Sequence, residues 1–182
     1  LDSAGAEPWA LRVSIDTPHT PVIPPEPYAS MYREHVADWT FGEEELSQRT
    51  PLLTRWREAR GWDTLSPDDL RWARAAYFGM VTFLDAQLAR LESFLEERGL
   101  NENLLTILIS DHGSSIGEHG LQVKGPFNTD DIAHVPFMIR RPGRVRPGVH
   151  GGLAQTIDVV PTLADLLGGD TPQPVSGEAL LP

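Results

Sequence analysis

The sequence contains no cysteine among its 182 residues. This absence excludes a disulfide framework, a thiolate metal site and a cysteine nucleophile within the chain, and it leaves the redox compartment open. The chain also lacks long hydrophobic runs: no stretch approaches the roughly 20 continuous apolar residues of a membrane-spanning helix, and no signal-like segment opens it. We therefore expect no membrane partner.

Positive charge is scarce as well. The 15 lysine and arginine residues stand against 26 aspartate and glutamate residues, which gives a formal net charge of −11. Such a chain repels a phosphate backbone, and no basic run offsets that repulsion locally, so we expect no nucleic-acid partner. The length and the 40% hydrophobic content suffice for a buried core and favour one globular unit over two.

Several segments carry strand or helix patterns. Residues 9–16 combine apolar and β-branched side chains and predict a strand that ends in a rigid proline-rich loop, residues 18–27. Residues 43–60 predict a helix interrupted around Pro51. The mostly apolar runs 104–110 and 135–140 are typical of strands covered on both faces in a parallel sheet.

The clearest predicted element is a long helix over residues 66–98. Ser66 is a good N-cap, Pro67 suits the first helical position, and two aspartates follow in the first turn. Gly99 supplies a left-handed stop, and the helix would span roughly 50 Å at about 1.5 Å per residue. Apolar residues recur along one face at helical spacing: Tyr77, Val81, Leu84, Leu88, Leu91 and Leu95.

The carboxy-terminal part completes the predicted order of elements. A basic loop rich in turn residues follows the second apolar run and ends near Gly152. Residues 156–167 predict a last helix, closed by Gly168 and compatible with Pro161 only where a turn begins. Strand, long helix, strand, loop, strand and helix is an α/β order, so we predict a mixed, mainly parallel sheet flanked by helices.

Polar residues follow two of the predicted strands, and ligands gather at such carboxyl ends in open parallel sheets. The run 104–110 stops at Asp111-His112-Gly113, and residues 9–16 stop shortly before His19. Asp111 and His112 offer a hard oxygen and an imidazole nitrogen to a divalent cation, and Gly113 frees both side chains to converge. The alternative is an Asx-type turn that caps the strand.

A glycine-rich segment from Gly117 to Gly125 follows and contains Lys124. An ammonium group can stabilise a bound sulfate or phosphate and the charge that develops on a leaving oxygen. The alternative for Lys124 is a solvated loop cation. His119 in the same segment is more typical of a turn residue than of a ligand.

These motifs together carry a family resemblance. Their order and spacing strongly resemble the sulfatase family of the alkaline phosphatase superfamily. The likeness covers nearly all of the chain and is weakest over residues 33–61. The residues that carry it are Ser110-Asp111-His112-Gly113, Gly117-Glu118-His119-Gly120-Leu121, Lys124-Gly125, and the run 135–140 with Pro142-Gly143.

The resemblance implies an alkaline-phosphatase-like fold, present here in incomplete form, and a parent enzyme that cleaves small-molecule or saccharide sulfate esters. It implies that Asp111 and His112 bind one divalent metal, calcium first, with manganese or magnesium as alternatives. It also implies that His19 and Lys124 contact the ester group and its leaving oxygen, with His19 suited to general acid catalysis. His112, where several members have asparagine, resembles iduronate-type sulfatases, choline-sulfatase-like enzymes and phosphonate monoester hydrolases.

Two parts of the family's mechanism are missing from the sequence. There is no nucleophile in a motif of Cys or Ser, any, Pro, any, Arg, and no paired-aspartate metal site after a first strand. Asp68-Asp69 and Asp130-Asp131 are expected to be capping or solvated acids. We therefore expect residues 1–182 to be a partial sulfatase-type catalytic domain, inactive without the remainder of the parent enzyme. Alternatives are a phosphonate or phosphate ester hydrolase and a non-catalytic, stand-alone binding module.

Overall fold

The structure, a computed structural model, describes residues 7–37, 50–171 and 173–180. It confirms a mixed α/β chain. Part of the predicted helix over residues 43–60 lies outside the described residues. The helices are α1 (Tyr28–Met31), α2 (Pro51–Arg60), α3 (Pro67–Glu97), α4 (Asp130–Ala133) and α5 (Val159–Leu167), and the strands are β1 (Thr106–Ile109), β2 (Ser115–Ile116), β3 (Gln122–Val123) and β4 (Phe137–Arg140).

The long helix α3 forms almost as predicted, because its end signals are local. Ser66 and Asp69 form a capping box, in which Ser66 Oγ accepts from Asp69 N at 3.2 Å and Asp69 Oδ2 accepts from Ser66 N at 2.9 Å. Gly99 follows with a left-handed φ of +65°. The 31 residues span about 46 Å at 1.5 Å per residue.

The short helix α1 packs against the middle of α3, where Gly79 allows a close approach of the two backbones. A Cβ at Gly79 would lie 2.2 Å from the carbonyl oxygen of Tyr28, so only glycine permits this approach. Tyr32 and Thr82 hydrogen-bond through their hydroxyls at 2.8 Å, and the Tyr28 and Phe83 rings meet edge to face. This contact anchors the proline-rich loop to α3.

The strands pair differently from the prediction. β1 and β4 form an antiparallel pair with Ile107 opposite Ile139, and β2 and β3 form a second antiparallel pair. Within the described residues these are two separate two-stranded sheets, so a mainly parallel sheet is not confirmed. Coverage on both faces is not confirmed either, because Ile109 and Met138 are 42% and 59% exposed in the described part of the chain.

The strand predicted over residues 9–16 was wrong. These residues have no strand structure, and Leu11 and Val13 are more than half exposed. Apolar and β-branched side chains favour a strand only when a neighbouring strand supplies hydrogen bonds and packing, and no described strand pairs with this segment. The loop that follows is confirmed, with cis peptide bonds before Pro18, Pro21 and Pro27.

The last helix is confirmed as a 3₁₀ turn, Thr156–Asp158, that runs into α5. Pro161 lies in the first turn of α5, and Gly168 ends the helix with a φ of +72°. Buried Asp158 accepts hydrogen bonds from the backbone N–H groups of Gln155 (2.7 Å) and Glu178 (2.9 Å), which holds the terminal segment against the helix. In the described part of the chain, no helix combines the length and apolar character needed to cross a membrane.

Candidate functional site

The turn after β1 carries Asp111, His112 and Gly113. Asp111 Oδ1 accepts from the backbone N–H of His112 at 3.0 Å, and Ser110 Oγ donates to the His112 carbonyl at 2.8 Å. The backbone of α4 crosses directly over Gly113, whose N–H donates to the Ile132 carbonyl at 2.7 Å. The turn is therefore fixed from both sides, while the Asp111 side chain stays 88% exposed.

Hydrogen bonds define the state of the His112 ring. Nδ1 lies 2.7 Å from the carbonyl oxygen of Gly113, which can only accept, so Nδ1 carries the proton. Nε2 is then an acceptor and receives a hydrogen bond from the ammonium of Lys124 at 2.7 Å. A histidine whose Nδ1–H is held by a backbone carbonyl, with Nε2 unprotonated, has the arrangement that metal-ligating histidines use.

Lys124 reaches this turn from the β2–β3 hairpin. The residue before it, Val123, has a φ of +55°, a conformation that β-branched residues rarely adopt. This backbone turns Lys124 away from the strand and towards His112. The structure thus brings together Asp111, His112 and Lys124, three of the four predicted site residues; whether they act as ligands and catalytic groups stays a prediction.

The fourth predicted residue, His19, lies in the proline-rich loop before α1. Its ring is exposed, and Nδ1 lies 2.8 Å from the carbonyl oxygen of the adjacent Thr20. Among the described residues, none of the hydrogen bonds or ion pairs of His19 involves Asp111, His112 or Lys124. His119, expected to be a turn residue, lies in the 3₁₀ turn Glu118–Gly120 with a φ of +53°.

Two arginines support the loop that precedes Lys124, and sequence reasoning missed both. Arg57 of α2 is 9% exposed and donates from Nε to the Gly120 carbonyl at 2.8 Å. Burial lowers the pKa of Arg57, opposed by the carboxylates of Asp63 and Glu58. Arg57 lies where the family resemblance is weakest, and no local pattern marks it as a loop anchor.

The second anchor acts through Glu118. Arg74 of α3 pairs with Glu118 Oε1 at 3.7 Å, and Glu118 Oε2 accepts from the backbone N–H of Ile116 at 2.7 Å. Burial, with a further contribution from Glu118, raises the pKa of the Tyr77 phenol on the same face of α3. Helices α2 and α3 therefore hold the glycine-rich loop from two sides.

The prediction that Asp131 is solvated or caps a helix was wrong. Its Oδ2 accepts a hydrogen bond from the fully buried Ser115, and its Oδ1 is buried without a partner among the described residues. The reason is the crossing of α4 over Gly113, which carries the first turn of α4 inwards onto β2. Asp130 beside it is exposed, as expected.

Asp111 and His112 fit a divalent cation as part of a site. Asp111 Oδ2 and His112 Nε2 lie 3.7 Å apart, a separation that one cation bonded to each atom at about 2.0–2.4 Å can span. Among the described residues no group of three or more potential ligands is found. The two side chains therefore form a half-site, and a complete site needs further ligands.

The fold, the turn after β1 and the lysine loop define the class of the protein. The chain belongs to the sulfatase family, whose sequence model, described as Sulfatase, matches residues 1–169.

Individual relatives share this region. The multifunctional alkaline phosphatase superfamily protein PehA of Trinickia caryophylli is 31% identical, and the alignment covers 100% of this chain and 38% of that protein. An arylsulfatase of Clostridium perfringens is 31% identical over 96% of this chain and 37% of its own length. The solved structure of a phosphonate monoester hydrolase from Silicibacter pomeroyi superposes with a TM-score of 0.76 at 27% identity, over 90% of this chain and 34% of that one. The chain thus spans little more than a third of these proteins.

Proposed function

We propose that this chain forms the metal-binding and leaving-group part of a hydrolase that cleaves sulfate esters. The observation that carries the proposal is the convergence of Asp111, His112 and Lys124 at the carboxyl end of β1, with Lys124 Nζ 2.7 Å from His112 Nε2. Membership of the sulfatase family and the similarity to an arylsulfatase support sulfate esters of small molecules or saccharides as the substrate class.

Each residue has a distinct role in this proposal. Asp111 and His112 would hold a divalent cation, calcium first and manganese or magnesium as alternatives, which when bound supplies Lewis-acid stabilisation of the ester oxygens. The Lys124 ammonium would bind a non-bridging oxygen of the sulfate group and stabilise charge on the leaving oxygen. His19 would protonate that oxygen as general acid.

The proposal assigns the remaining chemistry to other parts of a longer enzyme. The sequence has no nucleophile motif, and the chain spans little more than a third of its curated relatives. We propose that the rest of the parent enzyme provides the nucleophile and the other metal ligands. Its strands would extend the half-covered β1–β4 pair into a mixed, mainly parallel sheet.

A phosphonate or phosphate ester hydrolase is the second candidate. The similarity to a phosphonate monoester hydrolase structure supports it, with a TM-score of 0.76. Asp111, His112 and Lys124 would serve either anion, because sulfate and phosphonate esters both present tetrahedral oxygens to a cation and an ammonium.

A chimera tests the function and separates the two candidates. This chain replaces the aligned segment of the Clostridium perfringens arylsulfatase, and the product is assayed with p-nitrophenyl sulfate and p-nitrophenyl phenylphosphonate. We expect sulfate ester hydrolysis that a chelator removes. Lys124→Met should lower kcat/KM by about 100-fold, as loss of one oxyanion donor does.

The matched control is Arg146→Met, which removes one exposed positive charge from the loop after β4 and should leave the rate unchanged. A preference for the phosphonate ester would favour the second candidate. A folded chimera with no activity on either ester, or one unaffected by Lys124→Met, would contradict the proposed role of this segment.

A further inference from the structure

The hydrogen bond between Lys124 and His112 places two positive groups in competition for one atom. With Nδ1 protonated and bound to the Gly113 carbonyl, the ring of His112 has a single free lone pair, on Nε2. The Lys124 ammonium occupies that lone pair at 2.7 Å. A divalent cation bound by His112 needs the same lone pair, so the ammonium and the cation exclude each other there.

Electrostatic repulsion between the ammonium and the cation adds to this exclusion. Asp111 Oδ2 lies 3.7 Å from His112 Nε2 and supplies the negative charge of the half-site. A cation held by both atoms would stand within a few ångströms of the present position of the ammonium, and like charges at such a distance repel. Lys124 would then lose its acceptor and need a new anionic partner.

The surroundings allow the side chain of Lys124 to move while its backbone stays in place. Lys124 is exposed, and among the described residues its ammonium has one hydrogen bond, to His112. The next residue, Gly125, packs tightly: a Cβ there would lie 3.1 Å from Trp56 Nε1 and 3.2 Å from the Phe127 ring. The side chain of Lys124 can therefore change its rotamer, while the backbone beside it is held by this packing.

We propose that Lys124 couples the binding of a divalent cation to the binding of a tetrahedral oxyanion. Without a cation, Lys124 caps His112 Nε2 and is held back from the anion; a cation on Asp111 and His112 releases the ammonium to bind it. Because coupling between two sites is reciprocal, each ligand then tightens the other. This inference rests on the proposed function, since it needs the cation half-site.

Calorimetric titration of the chimera described above, whose remainder supplies the other metal ligands, tests the coupling, with Ca²⁺ or Mn²⁺ as the cation and inorganic sulfate as the oxyanion probe. We expect Lys124→Met to bind the cation about fivefold tighter or more than the wild type in the absence of sulfate. Sulfate should tighten cation binding to the wild type by a factor of about five or more, within the usual range of coupling, and do much less in the variant.

Two control variants accompany it. Arg146→Met makes the same change of net charge at an exposed loop position and should leave cation affinity near the wild-type value. Asp111→Ala removes a cation ligand and should abolish binding. Nitrogen NMR of the His112 ring in the wild type gives an independent readout: Ca²⁺ should shift the Nε2 signal and also change the environment of Lys124 Nζ.

The possible outcomes distinguish failure of the coupling from failure of the proposed function. Cation binding that depends on Asp111 but is equal in the wild type and in Lys124→Met would leave the proposed function standing and overturn the coupling. Tighter cation binding in the variant without any effect of sulfate on the wild type would likewise overturn it. No cation binding by a folded chimera, with or without Lys124→Met, would remove the half-site and with it both proposals.

Discussion

A side chain at position 113 would have to occupy space that the backbone of α4 already fills. A Cβ at Gly113 would lie 2.0 Å from the carbonyl oxygen of Asp131, and the neighbouring backbone atoms leave no flexible group that could give way. The turn that carries Asp111 and His112 is therefore coupled to α4 through a contact only glycine permits.

We predict that Gly113→Ala destabilises the chain by about 1–3 kcal/mol, as overpacking of a close contact does. Urea unfolding followed by circular dichroism would measure the change. The control is Gly148→Ala, whose added Cβ meets no atom within 4 Å. Equal unfolding midpoints for the two variants would show that α4 does not press on this turn in solution.

At the site, the sequence predicts which residues come together better than it predicts the contacts that position them. The Asp-His-Gly and Lys-Gly motifs indicate three residues that the structure brings together. Their mutual arrangement depends on Val123 in a left-handed conformation and on Arg57, 63 residues before the Gly120 carbonyl that it binds. Neither feature has a local signal, because a buried arginine and a strained valine are both exceptions to residue preference.

Among the elements, helices whose ends are defined by neighbouring residues could be predicted closely. Ser66, Asp69 and Gly99 mark the ends of α3 through contacts within a few positions of the chain. Strands need partners distant in sequence, so the strand over residues 9–16 was wrong and the direction of pairing in the sheet could not be read from apolar runs. The close packing of α1 on α3 likewise depends on Gly79 meeting a backbone 51 positions earlier.

The capping box of α3 gives a pH-dependent prediction. Hydrogen bonds from the hydroxyl and the backbone N–H of Ser66 lower the pKa of Asp69 below its usual value near 3.8. A carboxyl whose pKa is lower in the folded state stabilises the fold above the unfolded-state pKa, and this contribution is lost as pH falls through the folded-state value.

We therefore expect Asp69→Asn to lower the thermal midpoint at pH 7, with the difference from the wild type shrinking as the pH falls below about 4. Calorimetric scans between pH 7 and pH 3 would measure it. Asp170→Asn is the control, because Asp170 is exposed and lies beyond the end of α5. A difference that stays constant over this range would contradict a role for the ionised carboxylate.

At the scale of the whole molecule, apolar surface remains uncovered. Val149 and Leu153 are fully exposed, and Met138 is 59% exposed on a two-stranded sheet that has free edges among the described residues. Free edges with apolar side chains favour association with further strands. This surface is what the proposed longer enzyme would cover, since the chain spans little more than a third of its curated relatives.

The β1–β4 pair should therefore drive self-association of the isolated chain. Sedimentation velocity over a concentration series should show association that Met138→Lys weakens, because a lysine on an edge strand opposes pairing. Leu11→Lys is the matched control, because it adds the same charge outside the β1–β4 pair. The Leu11 side chain is 56% exposed, against 59% for Met138. If both variants associate like the wild type, the sheet edge is not the contact.

A monodisperse, cooperatively melting monomer at every concentration would instead favour a stand-alone binding module over part of a longer hydrolase, because such a chain would need no further strands to cover it.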